Sequence, residues 1–168
     1  MVGIVLGCFI PLHEGHKVLI HRALTECDEV LIVVCGYDDD RGKDFIPYKD
    51  RIKLMKQIYN HKDYPNVTVT SVDDKKIGLT GKFDLESWKL WCEEMWIQSG
   101  WQPNGDEYTW YLGEQSYVDH ISKLYPKHHF YLADRTCIPI SGTIIRENPR
   151  IYDNMIDPIF YLYLSSKT

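Results

Sequence analysis

Two histidines three residues apart, His13 and His16, flank Gly15 in the segment Gly7-Cys8-Phe9-Ile10-Pro11-Leu12-His13-Glu14-Gly15-His16. They fall where a short apolar run, Val2 to Leu6, gives way to residues with helical periodicity. The start of a helix carries unpaired N–H groups and the positive end of the macrodipole, so it suits a phosphate. Gly15 would let the backbone approach such a ligand with no Cβ in the way. Imidazoles titrate near ~6.5, so a neighbouring triphosphate would hold His13 and His16 protonated, able to stabilise charge on a departing pyrophosphate. Two plainer readings compete. A helical zinc pair has H-E-x-x-H spacing and a third ligand, neither of which is evident. Alternatively, both histidines simply satisfy backbone groups in a loop.

A second constellation stands near the other end, Ile140-Ser141-Gly142-Thr143-Ile144-Ile145-Arg146. Ser141 and Thr143 at a helix start supply caps and small donors to phosphate oxygens. Arg146, about a turn further on, could fork onto a phosphate. The competing reading is an ordinary cap followed by a surface arginine.

The elements that must position these groups are legible as alternating strands and helices. Val2 to Leu6, closed by Gly7, and Glu29 to Cys35, closed by Gly36, read as strands buried on both faces. A helix is predicted from His16 to Glu26, and another from about Tyr48 to Asn60 after Pro47, with Ile52, Leu54, Met55 and Ile58 on its apolar side. Val67 to Val72 is a third strand, Leu85 to Ser99 an amphipathic helix with Trp88, Trp91 and Trp96, and Tyr108 to Leu112 a fourth strand. A helix from Gln115 to Leu124 and a short strand from His129 to Leu132 follow. Such alternation predicts a Rossmann-like α/β fold, a doubly wound five-stranded parallel sheet with helices on both faces. Ligands then bind beyond the carboxyl ends of the strands, where the Gly7–His16 loop lies.

Length and charge limit the function. The 168 residues make one domain, with a core over 3–149 and a helical tail over 150–168. Nineteen basic against 24 acidic residues, net −5, speak against nucleic acid as a partner. No apolar run approaches a membrane span, and no basic region precedes the first one, so the expected setting is cytoplasmic. The five cysteines, an odd number without a C-x-x-C pair, read as free thiols.

The two constellations together resemble the nucleotidylyltransferase superfamily, which carries H-x-G-H after its first strand and I-S-x-T-x-x-R late in the domain. The likeness is closer to the NadR-type nicotinamide mononucleotide (NMN) adenylyltransferases. Those share the Gly7–His16 start, a segment like Gly36-Tyr37-Asp38-Asp39-Asp40-Arg41, a Trp-x-x-Trp like Trp88 to Trp91, and a late element like Arg135-Thr136 with Ile145-Arg146-Glu147-Asn148-Pro149. The resemblance runs from about Gly3 to Pro149.

It implies adenylyl transfer from ATP to NMN, giving NAD and pyrophosphate with no covalent enzyme intermediate and with Mg2+ carried on the ATP. His13, His16 and Arg146 would be the catalytic groups, with His16 the first choice for stabilising the transition state. Ser141, Thr143 and Arg51 would reach phosphates, and Gly7, Phe9, Gly15, Gly113 and Glu114 would line the ATP site. For Arg51 the competing reading is a solvated helix surface. Trp88, ahead of Trp91, would stack on the nicotinamide, although at least one of the two belongs to the core. Asp39 and Arg41 would touch NMN, and no protein metal site is implied. Cys8 departs from the pattern, since many members have a basic residue there. His21, His61, His120, His128 and His129 have no constellation around them. A phosphopantetheine adenylyltransferase, a CTP-dependent cytidylyltransferase and a non-catalytic NAD- or ATP-sensing domain remain alternatives, and a homo-oligomer remains open.

Overall fold

A computed structural model describes residues 1–36, 46–78, 84–134, 145 and 153–166. Five strands, β1 (Val2–Gly7), β2 (Glu29–Gly36), β3 (Val67–Asp73), β4 (Tyr108–Leu112) and β5 (His129–Leu132), form one sheet in the order β3-β2-β1-β4-β5. Every pairing is parallel. Winding runs outward from β1 through β2 to β3, then restarts on the other side with β4 and β5. The order of connection therefore reverses between β1 and β4, the place where open α/β sheets bind ligands.

Among the described residues the helices are α1 (Glu14–Glu26), α2 (Tyr48–Ile58), α3 (Leu85–Ser99), α4 (Gln115–Leu124) and α5 (Pro158–Ser166), with a 3-10 turn at Asp153–Met155. Successive strand residues point to opposite faces, and the core divides accordingly. Val30, Ile32 and Val34 of β2 pack with Leu19, Ile20, Leu54, Met55 and Phe160 from α1, α2 and α5. Leu31 and Val33 pack instead with Trp88, Trp91, Met95, Trp96 and Ile121 from α3 and α4. With both faces covered, β1 and β2 consist of near-continuous apolar residues.

The strands and helices predicted between Val2 and Leu132 all form, with ends that differ for local reasons. α1 starts at Glu14 rather than His16, because His13 caps it. α2 stops at Ile58 rather than Asn60. The Asn60 amide donates to the Gln57 carbonyl at 3.0 Å and its oxygen accepts from the Asp63 N–H at 3.0 Å, which turns the chain. Asp84 caps α3 by accepting from the Ser87 N–H at 2.8 Å, and Gly100, with φ of 75°, ends that helix in the left-handed region. Cys8, Cys27, Cys35 and Cys92 are free thiols. No helix among the described residues is long and apolar enough to cross a membrane.

Candidate active site

The β1–α1 loop is held by its own side chains. His13 is the N-cap of α1 and His16 is three positions into the helix, the spacing of a capping box. The Gly15 N–H donates to His13 Nδ1 at 3.1 Å, and the His13 N–H donates to His16 Nδ1 at 3.3 Å. The two rings stack with centroids 3.8 Å apart. Because each Nδ1 accepts a backbone N–H, the ring proton in both residues sits on Nε2. Two Nε2–H donors are thus fixed in tautomer by the backbone they cap.

This arrangement refines two expectations. A second proton on either ring would have to displace a capping bond. The Gly15 N–H, expected to face a phosphate, is already committed to His13. The plainer reading, histidines satisfying backbone groups, therefore describes part of what they do.

Phe9 supports the pair from below. It adopts a positive φ of 55°, and its ring is buried, edge-on to His16 with centroids 4.9 Å apart. A Cβ on Gly7 would come within 3.1 Å of that ring, so glycine lets the strand pass beneath it without displacing the ring. Phe9, expected at the ATP site, can meet a ligand only through its backbone, since its side chain belongs to the core. From the far end of the chain, the Asp157 N–H donates to the Leu12 carbonyl at 2.9 Å, and the Asp157 carboxylate meets Lys17 Nζ at 2.6 Å. His13 itself makes an antiparallel bridge with Ile156.

Arg51 corrects the competing reading of it. It is not a solvated helix residue, being fully buried. Its Nε donates to the Ile46 carbonyl at 3.0 Å, and one terminal nitrogen donates to the carbonyls of Cys8 at 2.8 Å and Cys35 at 2.9 Å. Arg51 thus ties together the carboxyl ends of β1 and β2. Gly36, with φ of +102°, lets the chain turn directly over this guanidinium.

On the other face of the sheet, the strand ends open into a cleft of about 380 Å³ whose lining includes Cys8, Gly36, Asp74, Trp88, Trp91 and Tyr117. Trp88 stands edge-on to Trp91 and to Tyr117, with centroids 5.5 and 5.0 Å away. Both tryptophans are buried in the core and both line the cleft, so the expectation of at least one in the core holds for the two together. His120, which the sequence leaves without a constellation, stands on the rim of this cleft with its Nδ1 at 2.7 Å from the Ser116 carbonyl.

Asp74 is the residue that sequence reasoning missed. It follows β3 immediately and is 8% exposed. Burial, reinforced by the nearby Cys8 thiol, pushes its carboxyl up to about 6, against a smaller lowering by a hydrogen bond from Trp91. Cys35 faces Cys8 with the sulfurs 4.0 Å apart, and that hydrogen bond together with burial holds its thiol well above the ordinary range. The one available signal for Asp74 was its place at the carboxyl end of a parallel strand.

Gly113 and Glu114 end β4 and begin α4, with Glu114 as its N-cap, across the reversal point from Gly7. Arg146, Ser141, Thr143, Asp39 and Arg41 lie outside the described residues. Among the described residues, no group of three or more His, Cys, Asp or Glu side chains is arranged to hold a metal ion.

A cytidylyltransferase-like family model matches residues 4–148. The chain belongs to that family. Within the nucleotidylyltransferases it is similar to the trifunctional NAD biosynthesis/regulator protein NadR of Salmonella typhimurium, at 27% identity over 173 residues that take in 90% of this chain and 37% of the relative. A crystal structure of a NadR protein in complex with NR superposes with a TM-score of 0.78 at 31% identity, over 95% of this chain and 44% of that one. The chain thus spans less than half the length of these relatives. A bifunctional NMN adenylyltransferase/ADP ribose pyrophosphatase from Francisella tularensis shares the fold, with a TM-score of 0.68 at 15% identity. Phosphopantetheine adenylyltransferase of Bacteroides fragilis is 30% identical over 80 residues, 48% of this chain and 51% of the relative.

Proposed function

We propose that the chain transfers the adenylyl group of ATP to NMN, giving NAD and pyrophosphate. The observation that carries this reading is the pair of histidines held by backbone bonds at the start of α1, on a loop whose Cys8 also lines the cleft walled by Trp88 and Trp91. The NMN phosphate oxygen would attack the α-phosphorus of ATP, forming one P–O bond while the bond to the β-phosphate oxygen breaks. Pyrophosphate leaves with that electron pair. His13 and His16 would donate hydrogen bonds to the non-bridging and departing oxygens, an electrostatic role that needs no proton transfer. Because both rings are held before substrate arrives, little reorganisation would accompany the reaction. Arg146, Ser141 and Thr143 would complete the phosphate contacts, and Asp39 and Arg41 would approach NMN. Mg2+, held by the ATP phosphates, would supply further charge neutralisation.

The flat, aromatic walls of the cleft suit a pyridine ring. A NadR protein crystallised with NR at 31% identity supports the same choice. The second reading, phosphopantetheine as acceptor, is favoured by the local likeness to those enzymes over 48% of the chain. Purified protein with ATP, Mg2+ and NMN is expected to yield NAD and pyrophosphate in equal amounts. Turnover of phosphopantetheine with no NAD formed would replace this reading by the second. Binding of ATP or NAD without turnover of either acceptor would make the domain a nucleotide sensor.

A further inference from the structure

The aromatic cleft contains one polar group whose chemistry is incomplete. Asp74 is 8% exposed, lines the cleft, and its Oδ1 is buried with no hydrogen-bond partner among the described residues. A buried carboxylate oxygen left unmatched is costly, and native structures seldom retain one without a use. The neighbours supply little. Trp91 hydrogen-bonds the carboxyl, the Arg51 charge favours its ionised form, and the Cys8 thiol and Asp73 carboxylate push against its ionisation. A donor brought by a ligand would complete it. Trp88, Trp91 and Tyr117 make the surrounding walls aromatic, so that donor is carried on a flat ring.

We propose that Asp74 selects the amide form of the pyridine nucleotide, accepting a hydrogen bond from the ring carboxamide NH2 and excluding a ring carboxylate. This rests on the reading of the chain as an NMN adenylyltransferase and names what that reading leaves open, nicotinamide against nicotinate. An ionised Asp74 accepts but cannot donate, so it matches an amide N–H and repels a second carboxylate held in the same dry pocket. Sites built around a buried polar group reject the mismatched analogue far more strongly than apolar pockets do.

The test compares nicotinamide and nicotinate mononucleotides as acceptors with the wild-type chain, Asp74→Asn and Asp74→Ser, each checked for folding by a thermal melt. Wild type is expected to favour the amide by about 100-fold or more in kcat/KM. Asp74→Asn, whose side chain both donates and accepts, should narrow that ratio by at least about tenfold, mainly through a lower KM for the nicotinate form. Asp74→Ser provides the same readout should the Asn variant fail to fold. A merely structural role would depress both acceptors alike and leave the ratio fixed. NAD formation with an unchanged ratio in the variants overturns the assignment of Asp74 alone. So does a wild-type chain that uses both acceptors equally. Failure to use either pyridine nucleotide, with phosphopantetheine turned over instead, overturns the underlying reading and this inference with it.

Discussion

The β1–α1 loop and the aromatic cleft meet at Cys8, yet they are built on opposite principles. In the loop, the donors and acceptors that matter are satisfied from within: His13 takes the Gly15 N–H, His16 takes the His13 N–H, and Arg51 takes the carbonyls of Cys8, Cys35 and Ile46. In the cleft, a buried carboxylate oxygen is left without a partner among the described residues. The first region is held by bonds of its own that fix His13 and His16 in place. The second carries an electrostatic cost that a bound ligand would relieve. Under the proposed function, rate and recognition would fall to different faces of one sheet.

The contrast can be broken at either side. His16→Ala is expected to lower kcat by about 100-fold or more while changing ATP affinity little, since the ring acts where charge develops. Steady-state kinetics beside direct ATP titration separates the two. If affinity alone falls, the loop is an anchor and its rigidity has no catalytic meaning. Arg51→Met should destabilise the fold by about 3 kcal/mol in urea denaturation, because buried carbonyls at the ends of β1 and β2 lose their donor. A variant of unchanged stability would mean that the tie is dispensable.

On the cleft side, Trp88→Ala is expected to raise the KM for NMN about tenfold, with kcat less affected. An unchanged KM would move the stacking surface to Trp91. The smallest effect concerns stability. The carboxyl of Asp74 sits at about 6 in the folded chain, above its unfolded value. Its cost is therefore absent below about pH 4, grows as pH rises through 6, and is fully present above that. Asp74→Asn should then stabilise the protein by about 1–2 kcal/mol at pH 8 and by almost nothing at pH 4, as read from urea midpoints at the two pH values. Equal midpoints at pH 8 would show that the carboxylate is better satisfied than the described contacts indicate.

The two regions also differed in how far the sequence revealed them. Strand positions followed from apolar runs closed by Gly7, Gly36 and Gly113, because a strand covered on both faces leaves an unbroken hydrophobic record. The His13–His16 pair was visible, and its three-residue spacing is also that of a cap and its reciprocal partner, a local geometry that sequence carries directly. The burial of Arg51 was hidden because Asp50-Arg51 looks like any solvated helix pair. Its burial is decided by two strand ends that come from elsewhere in the chain. Asp74 was overlooked for the same reason. In Asp73-Asp74-Lys75-Lys76 it reads as a polar loop, and only the packing of α3 across the end of β3 turns it inward. Local chemistry is written in the sequence, whereas burial imposed by distant elements is not.

The contacts of Asp157 have a consequence for biosynthesis. The loop carrying His13 leaves the ribosome well before Asp157, which supplies the backbone bond to Leu12 and the ion pair with Lys17. Chains emerge amino end first. A nascent chain can therefore assemble its sheet while this loop is still unclamped, and the loop is secured only once Asp157 has been made.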